Sequence, residues 1–431
     1  MSFYICSADC CYEKEQLKTA FDFKGNALTC LWQIAVRLST EQNTAVGLGV
    51  QSVLWSDSAV YRSLGEEEGN LAMLRLTRHA LKLLEHTEIE TPFDALDKIF
   101  SELYTYAQKL TGSVALRKTF VLNALVPVDF ALWQLWCKEN GKASFDDICR
   151  FDGKRCEKLL NIPLITYNTS LDSVRELAEN GASLLKIKIG SDPDGRNDPE
   201  AMLEWDKKRI SDIHNTVKHI STPYTDKGTV LYYLDANGRY DKKERLLSLL
   251  DHADKEGFLD RIILLEEPFD ELNKIDVHGI PVTVVADESA HSCEDVLERL
   301  ELGYRALALK PIAKSLSLTI RMAELARKNS MLCFCADLTV NPVMVSWNQC
   351  VASRLSALPG MRIGVIESNG EQNYSQWDKM MSYHPLSGSS FTTCKNGVFH
   401  LDNSFYKTDG GIFDVPTHYA DLIRNGGGTC E

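Results

Sequence analysis

At roughly 100–200 residues per domain, a chain of 431 residues holds about two or three domains and can bury a large core without staples. Hydrophobic residues at 44% and charged residues at 25% exclude a largely disordered chain, a coiled coil or a collagen. Acidic residues outnumber basic ones 60 to 47, for a net charge of −13; a surface of that sign repels nucleic acid and anionic membranes, so neither is expected as a partner.

The 13 cysteines are odd in number and scattered, with no C-x-x-C pair. They read as small buried hydrophobes in a reducing compartment, not as a disulfide framework or a zinc site. No basic-then-apolar leader opens the chain and no window approaches 18 consecutive apolar residues. A soluble, cytoplasmic protein is expected.

In chain order, the stretches 28–38 and 44–51 are β-rich and separated by a turn. Helical periodicity follows over 69–84, over 92–110 behind the Thr91-Pro92 start signal, and over 122–140 up to Gly141. From about residue 151 the texture changes. Eight short apolar runs recur, each followed by a polar residue and a helical segment: 162–167, 184–189, 230–235, 261–266, 281–287, 305–310, 331–337 and 361–367. Strands alternating with helices predict a parallel sheet, and eight repeats predict a closed (β/α)8 barrel. The expected organisation is an α+β unit over 1–150, the α/β barrel over 151–368, and a segment 369–431 that returns to the first unit.

Barrel enzymes place their chemistry at the carboxyl ends of the strands. Alternation puts Lys186 and Lys188 on one face, and Leu185, Ile187 and Ile189 on the other. The apolar face suits the surrounding helices, so both lysines point inward. By the same reasoning Asp235, Glu266, Asp287, Lys310, Asp337 and Glu367 each cap an inward column. Strand four's column is Leu264 and Ile262, and strand seven's is Cys335 and Cys333. Three carboxylates on adjacent strand ends would repel without a cation; all-oxygen ligands suit Mg²⁺ better than zinc. A metal that holds a substrate carboxylate, with lysines on either side, is a device for removing the α-proton through an enediolate. His214, His219 and His291 read as residues of loops or helical surfaces, not of a site. No nucleotide-binding fingerprint occurs.

The stretches LLKIKIG, YYLDANGRY, LLEEPFD, VVADESAH and ALALKP, with VPVDFALWQLWCKENGK nearer the N-terminus, resemble the enolase superfamily and, within it, the muconate-lactonizing-enzyme-like group. The resemblance implies a capping domain built from both chain ends over a modified barrel. It implies Mg²⁺ on Asp235, Glu266 and Asp287, Lys188 and Lys310 as acid/base pair on opposite substrate faces, and Lys186 neutralising the substrate carboxylate. Asn237, Glu288, Asp337, Glu367 and Asn369 fall around the metal or against the substrate.

The chain departs from the family pattern in three places. Asp337 stands where the mandelate-racemase-like group has a histidine. Glu367-Ser368-Asn369 replaces the Asp-x-Asp with which dipeptide epimerases hold an ammonium group. Ala313-Lys314-Ser315-Leu316 replaces the glycines that follow strand six, where Lys310-Pro311 is similar to succinylbenzoate synthases. Segments 22–27 and 53–61 are expected to help select the substrate.

The expected function is racemisation or epimerisation of an amino-acid derivative, a small-molecule carboxylate. A lyase or dehydratase on the same site, a Schiff-base aldolase using Lys188 or Lys310, and a non-catalytic binding protein are the alternatives. The oligomeric state, a homo-oligomer included, stays open.

Overall fold

The computed structural model describes residues 2–23, 26–151 and 155–426, with the side chains of 21–27 excluded. The side chains of segment 22–27, and Gly427 and Gly428 near the C-terminus, therefore lie outside the described residues.

An antiparallel three-stranded sheet opens the chain: Ser7–Phe23, Asn26–Ser39 and Thr44–Gln51. Helices Ser58–Leu84, Pro92–Thr111 and Lys118–Glu139 pack beside it. The 69–84 period is the second part of the first of these, which breaks at Gly65 (φ 80°). Asp57 starts that helix by accepting from the Ala59 and Val60 N–H groups. Thr91 caps the next, with Pro92 at its first position.

Helix Lys118–Glu139 is long and apolar enough to cross a membrane, although no run of 18 consecutive apolar residues predicts it. Its apolar window is 94% buried inside the protein, which marks it as a core helix. It lies between the antiparallel sheet and the barrel. On the sheet side it comes so close that only glycine fits: a Cβ on Gly47 would lie 2.0 Å from the Pro127 carbonyl oxygen. On the barrel side, buried Asp129 accepts from the Ser317 N–H (2.8 Å) and hydroxyl (2.6 Å), while Trp133 Nε1 donates to the same hydroxyl at 2.9 Å.

The second sheet is the barrel. Strand one is split by Pro163 into Lys158–Asn161 and Leu164–Ile165. Its first half pairs with strand eight, Gly364–Ile366, and its second half with strand two, Leu184–Lys188, so one segment joins both sheet edges. Between them run Leu231–Asp235, Ile262–Glu266, Thr283–Ala286, Ala306–Leu309 and Leu332–Cys335, all parallel. A further strand, Val398–His400, pairs antiparallel with the first half of strand one. The barrel interior holds Leu184, Leu231, Tyr233, Leu264, Val285, Ala306, Ala308 and Val365.

Two inward columns differ from expectation. A register shift between Ile262 and Leu264 sends Ile262 to the outer core. On strand seven Phe334 and Ala336 face inward, while Cys335 joins the outer core.

The C-terminal segment touches the first sheet: Gln33 Nε2 donates to the Tyr374 hydroxyl at 2.9 Å, and the Ser375 N–H to the Gln16 carbonyl at 3.0 Å. Helix Thr417–Arg424 reaches it through His418 and Glu13, 3.0 Å apart.

The Gly47 contact yields a stability test. Gly47→Val forces the helix off the sheet and should cost about 1–3 kcal/mol, read as a lowered denaturation midpoint. An unchanged midpoint would mean that the close approach bears no stability.

Candidate active site

The ladder register sets the site. Lys188 pairs with Asp235, and Asp235 with Glu266, so the functional ends of strands two, three and four are adjacent. Strands five to eight add Asp287, Glu288, Lys310, Asp337, Glu367 and Asn369 to the same pocket, which also takes in Asn237. Every sequence-predicted site residue is therefore in one cavity. The roof comes from the N-terminal unit: Leu17, Leu31, Leu54 and Trp55. Segment 53–61 reaches the pocket through Leu54 and Trp55, on the short helix Val53–Ser56.

Inside, ammonium groups and carboxylates interleave. Lys186 Nζ lies 3.1 Å from Asp235, 3.1 Å from Glu266 and 3.0 Å from Glu367. Lys188 Nζ donates to Asp235 Oδ2 at 2.7 Å and to Asn237 Oδ1. Lys310 Nζ donates to Asp287 Oδ2 and sits 5.0 Å from the Trp55 ring. Asn237 Nδ2 in turn donates to Glu288 Oε1 at 3.0 Å. The turn after strand five is fixed by buried Glu267, which accepts from the N–H groups of Asp287 (2.6 Å) and Ser289 (2.9 Å). Asp337 reaches the pocket from beyond the end of strand seven; its Oδ2 accepts from the Asn369 N–H at 2.7 Å.

Burial and neighbouring charge compete at each group. Burial works against the Asp235 charge, but Lys186 and Lys188 outweigh it and hold the carboxyl at about 2. Burial likewise opposes Asp287, and Lys310 and Lys314 keep it well below the usual carboxylate range. Glu266 goes the other way: burial, with Asp287 and Glu367 adding to it, pushes it up despite Lys186. Burial raises Asp337 to about 6. Burial would lower Lys310, but Asp287, Glu288 and Glu266 raise it above the ordinary lysine value.

The donor set fits a divalent cation. Glu266, Asp287 and Glu288 each place a carboxylate oxygen within 4.8 Å of the others, and Glu288 Oε2 is buried without a partner. Asp235, the third ligand expected from sequence, borders the same pocket with its Oδ2 on Lys188 and Lys186. Six carboxylates (Asp235, Glu266, Asp287, Glu288, Asp337 and Glu367) line the pocket against Lys186, Lys188 and Lys310. Lys314 behind Asp287 adds a fourth ammonium group. Carboxylates outnumber ammonium groups in this cluster, which suits a hard divalent ion on oxygen ligands.

Lys314 has no place among the residues expected from sequence. Its signal is the Pro311 helix start, which sets Lys310 and Lys314 four residues apart on one face. His214 lies on a helix and outside the pocket, as expected, but is not at a surface. It is buried on helix Pro199–Val217, 2.9 Å from the Tyr232 hydroxyl and stacked on Phe258; burial lowers it to about 4. His291 lies between Glu271 and Asp295 and does not line the pocket.

No protein-family model matches the chain, and no curated protein matches it by sequence. Solved structures match it along most of its length. A mandelate racemase/muconate lactonizing protein from Herpetosiphon aurantiacus superposes with a TM-score of 0.64 at 15% identity, covering 92% of this chain and 96% of that one. A dipeptide epimerase from Enterococcus faecalis V583, complexed with Mg and the dipeptide L-Leu-L-Tyr, gives 0.62 at 14% identity over 86% and 92%. An N-succinyl Arg/Lys racemase from Bacillus cereus ATCC 14579 gives 0.62 at 14% identity over 86% and 89%. With a barrel whose strand ends carry the lysines and carboxylates and an antiparallel sheet above them, the chain has the fold of the enolase superfamily.

Proposed function

We propose that this protein is a Mg²⁺-dependent enzyme of the muconate-lactonizing-enzyme-like group that removes the proton α to a substrate carboxylate, acting as a racemase or epimerase of an amino-acid derivative. The observation that carries the reading is the position of Lys188 and Lys310 at the ends of strands two and six, with Asp235, Glu266 and Asp287 on the strands between them. The epimerase and racemase among the structural neighbours support the same class of reaction.

Asp235, Glu266 and Asp287 would hold the metal, with Glu288 and Asn237 around it. When bound, the divalent ion supplies Lewis acidity to the substrate carboxylate and so eases loss of the α-proton. Lys188 Nζ takes that proton on one face, and Lys310 Nζ delivers one on the other. Lys186, held by three carboxylates, keeps its charge and faces the substrate carboxylate. Leu17, Leu31, Leu54 and Trp55 exclude water from the exchange. Asp337, Glu367 and Asn369 meet the part of the substrate beyond its reacting carbon. The described cysteines are free, which suits a reducing compartment such as the cytoplasm.

Two predictions follow from the lysines. Lys310 must be neutral to accept a proton, and the surrounding carboxylates raise its pKa. For the enantiomer on which Lys310 is the base, the rate should therefore still be climbing with pH at about 9 and level off only above the ordinary lysine pKa of about 10.4, measured as kcat/KM; a flat profile with chemistry rate-limiting would contradict a lysine base. The second test uses single enantiomers of N-acylated amino acids and dipeptides in D₂O with Mg²⁺, followed by proton NMR. Lys310→Ala should abolish racemisation yet still let deuterium into the α-position of one enantiomer, and Lys188→Ala into the other. Both exchanges should stop on chelation. Full turnover by one variant to a β-elimination product, with no exchange into recovered substrate, would replace the racemase with a one-base lyase.

A further inference from the structure

Lys314 is 1% exposed and serves neither as one of the lysines assigned to proton transfer nor as part of the pocket wall. It closes the four-residue turn Pro311–Lys314 that follows strand six, and its N–H bonds the Lys310 carbonyl at 2.8 Å. The spacing of four residues puts both ammonium groups on one face, and both meet Asp287. Lys310 takes Oδ2; Lys314 takes the backbone carbonyl at 2.6 Å and Oδ1 at 3.2 Å. Asp287 therefore has both carboxylate oxygens on lysines. Ser315 (φ 76°) ends the turn directly after Lys314, and its hydroxyl caps the following helix. The backbone thus holds Lys314 behind Asp287.

We infer that Lys314 is a positioning residue that orients Asp287 and tempers the affinity of the carboxylate cluster for a divalent cation; the inference rests on the metal reading above. A charge buried this deeply must be paired, and Lys314 keeps its partner whether or not Lys310 leaves Oδ2. With Lys314 in place one more fixed positive charge stands against the carboxylate cluster, directly on Asp287; without it that charge is gone. Lys314 orients Asp287 and, as a fixed cation beside Oδ1, weakens the hold of the site on the ion.

The test is Mn²⁺ binding to the full chain by titration calorimetry and by electron paramagnetic resonance, with no substrate present. Lys314→Met should bind Mn²⁺ about tenfold more tightly or better, because like charges in a poorly solvated site repel strongly. Lys314→Gln, which keeps a donor for the Asp287 carbonyl without the charge, should behave in the same way. If the Met variant unfolds, the affinity is read on the Gln variant, which keeps the hydrogen bond to the Asp287 carbonyl. Affinity in folded variants that is equal to or weaker than wild type overturns it. Failure of both variants to fold at any Mn²⁺ concentration also overturns it, since Lys314 would then be a structural cation only. Absence of Mn²⁺ binding to the wild-type protein would instead sink the metal reading itself.

Discussion

Buried ammonium groups and carboxylates are compatible at the barrel mouth only because they alternate. Stripped of its partners, any one of these charges would cost several kcal/mol to bury. Lys186 alone touches Asp235, Glu266 and Glu367, on strands three, four and eight. Lys310 and Lys314 saturate Asp287 on strand five. Each strand end therefore depends on the register of its neighbours, and a slip of one residue would reverse the faces of the chain and leave charges unmatched. The imbalance that remains is negative, and together with burial it pushes Glu266 toward its protonated form. A cation held by Asp235, Glu266 and Asp287, beside Glu288, would relieve that repulsion.

The rest of the molecule serves to hold a lid over this cluster. Helix Lys118–Glu139 is fastened to the barrel by Asp129 and Ser317, and to the sheet by the Gly47 contact with Pro127. Asn341, at the start of the helix after strand seven, donates to Gln33 of the sheet at 3.0 Å. Arg117 pairs with Glu271 at 2.7 Å, beyond strand four. These buried and half-buried polar links tie the roof residues Leu31 and Trp55 to the strand ends. Such ties give geometry more than stability, since each is offset by desolvation of the groups it joins.

The barrel and the gathering of the candidate residues in one pocket were legible because alternation is a strict geometric rule. Lys186 and Lys188 inward, with Leu185, Ile187 and Ile189 outward, follow from a period of two. That rule failed where the backbone is irregular. The bulge after Ile262 and the inward Phe334 and Ala336 cannot be seen in composition. Strand Ser7–Phe23 was not legible because its charged residues conceal the pattern: Cys11 and Glu15 are buried while neighbouring residues are partly solvated. Lys314 was read as a departure from a glycine-bearing pattern and not as a site residue, because its role depends on a turn that aims it at Asp287. The roof residue Trp55 belongs to a four-residue helix, too short for any periodic signal.

The central claim is that the carboxylates at the ends of strands three to five form a site for one divalent ion between two lysines. Diffraction from crystals grown with Mn²⁺, collected at its absorption edge, tests this most directly. The account predicts one anomalous peak in the pocket, with Glu266 and Asp287 oxygens among its ligands and Lys310 displaced from Asp287 Oδ2. A pocket with no peak at saturating Mn²⁺, and Lys310 still on Asp287, would contradict it.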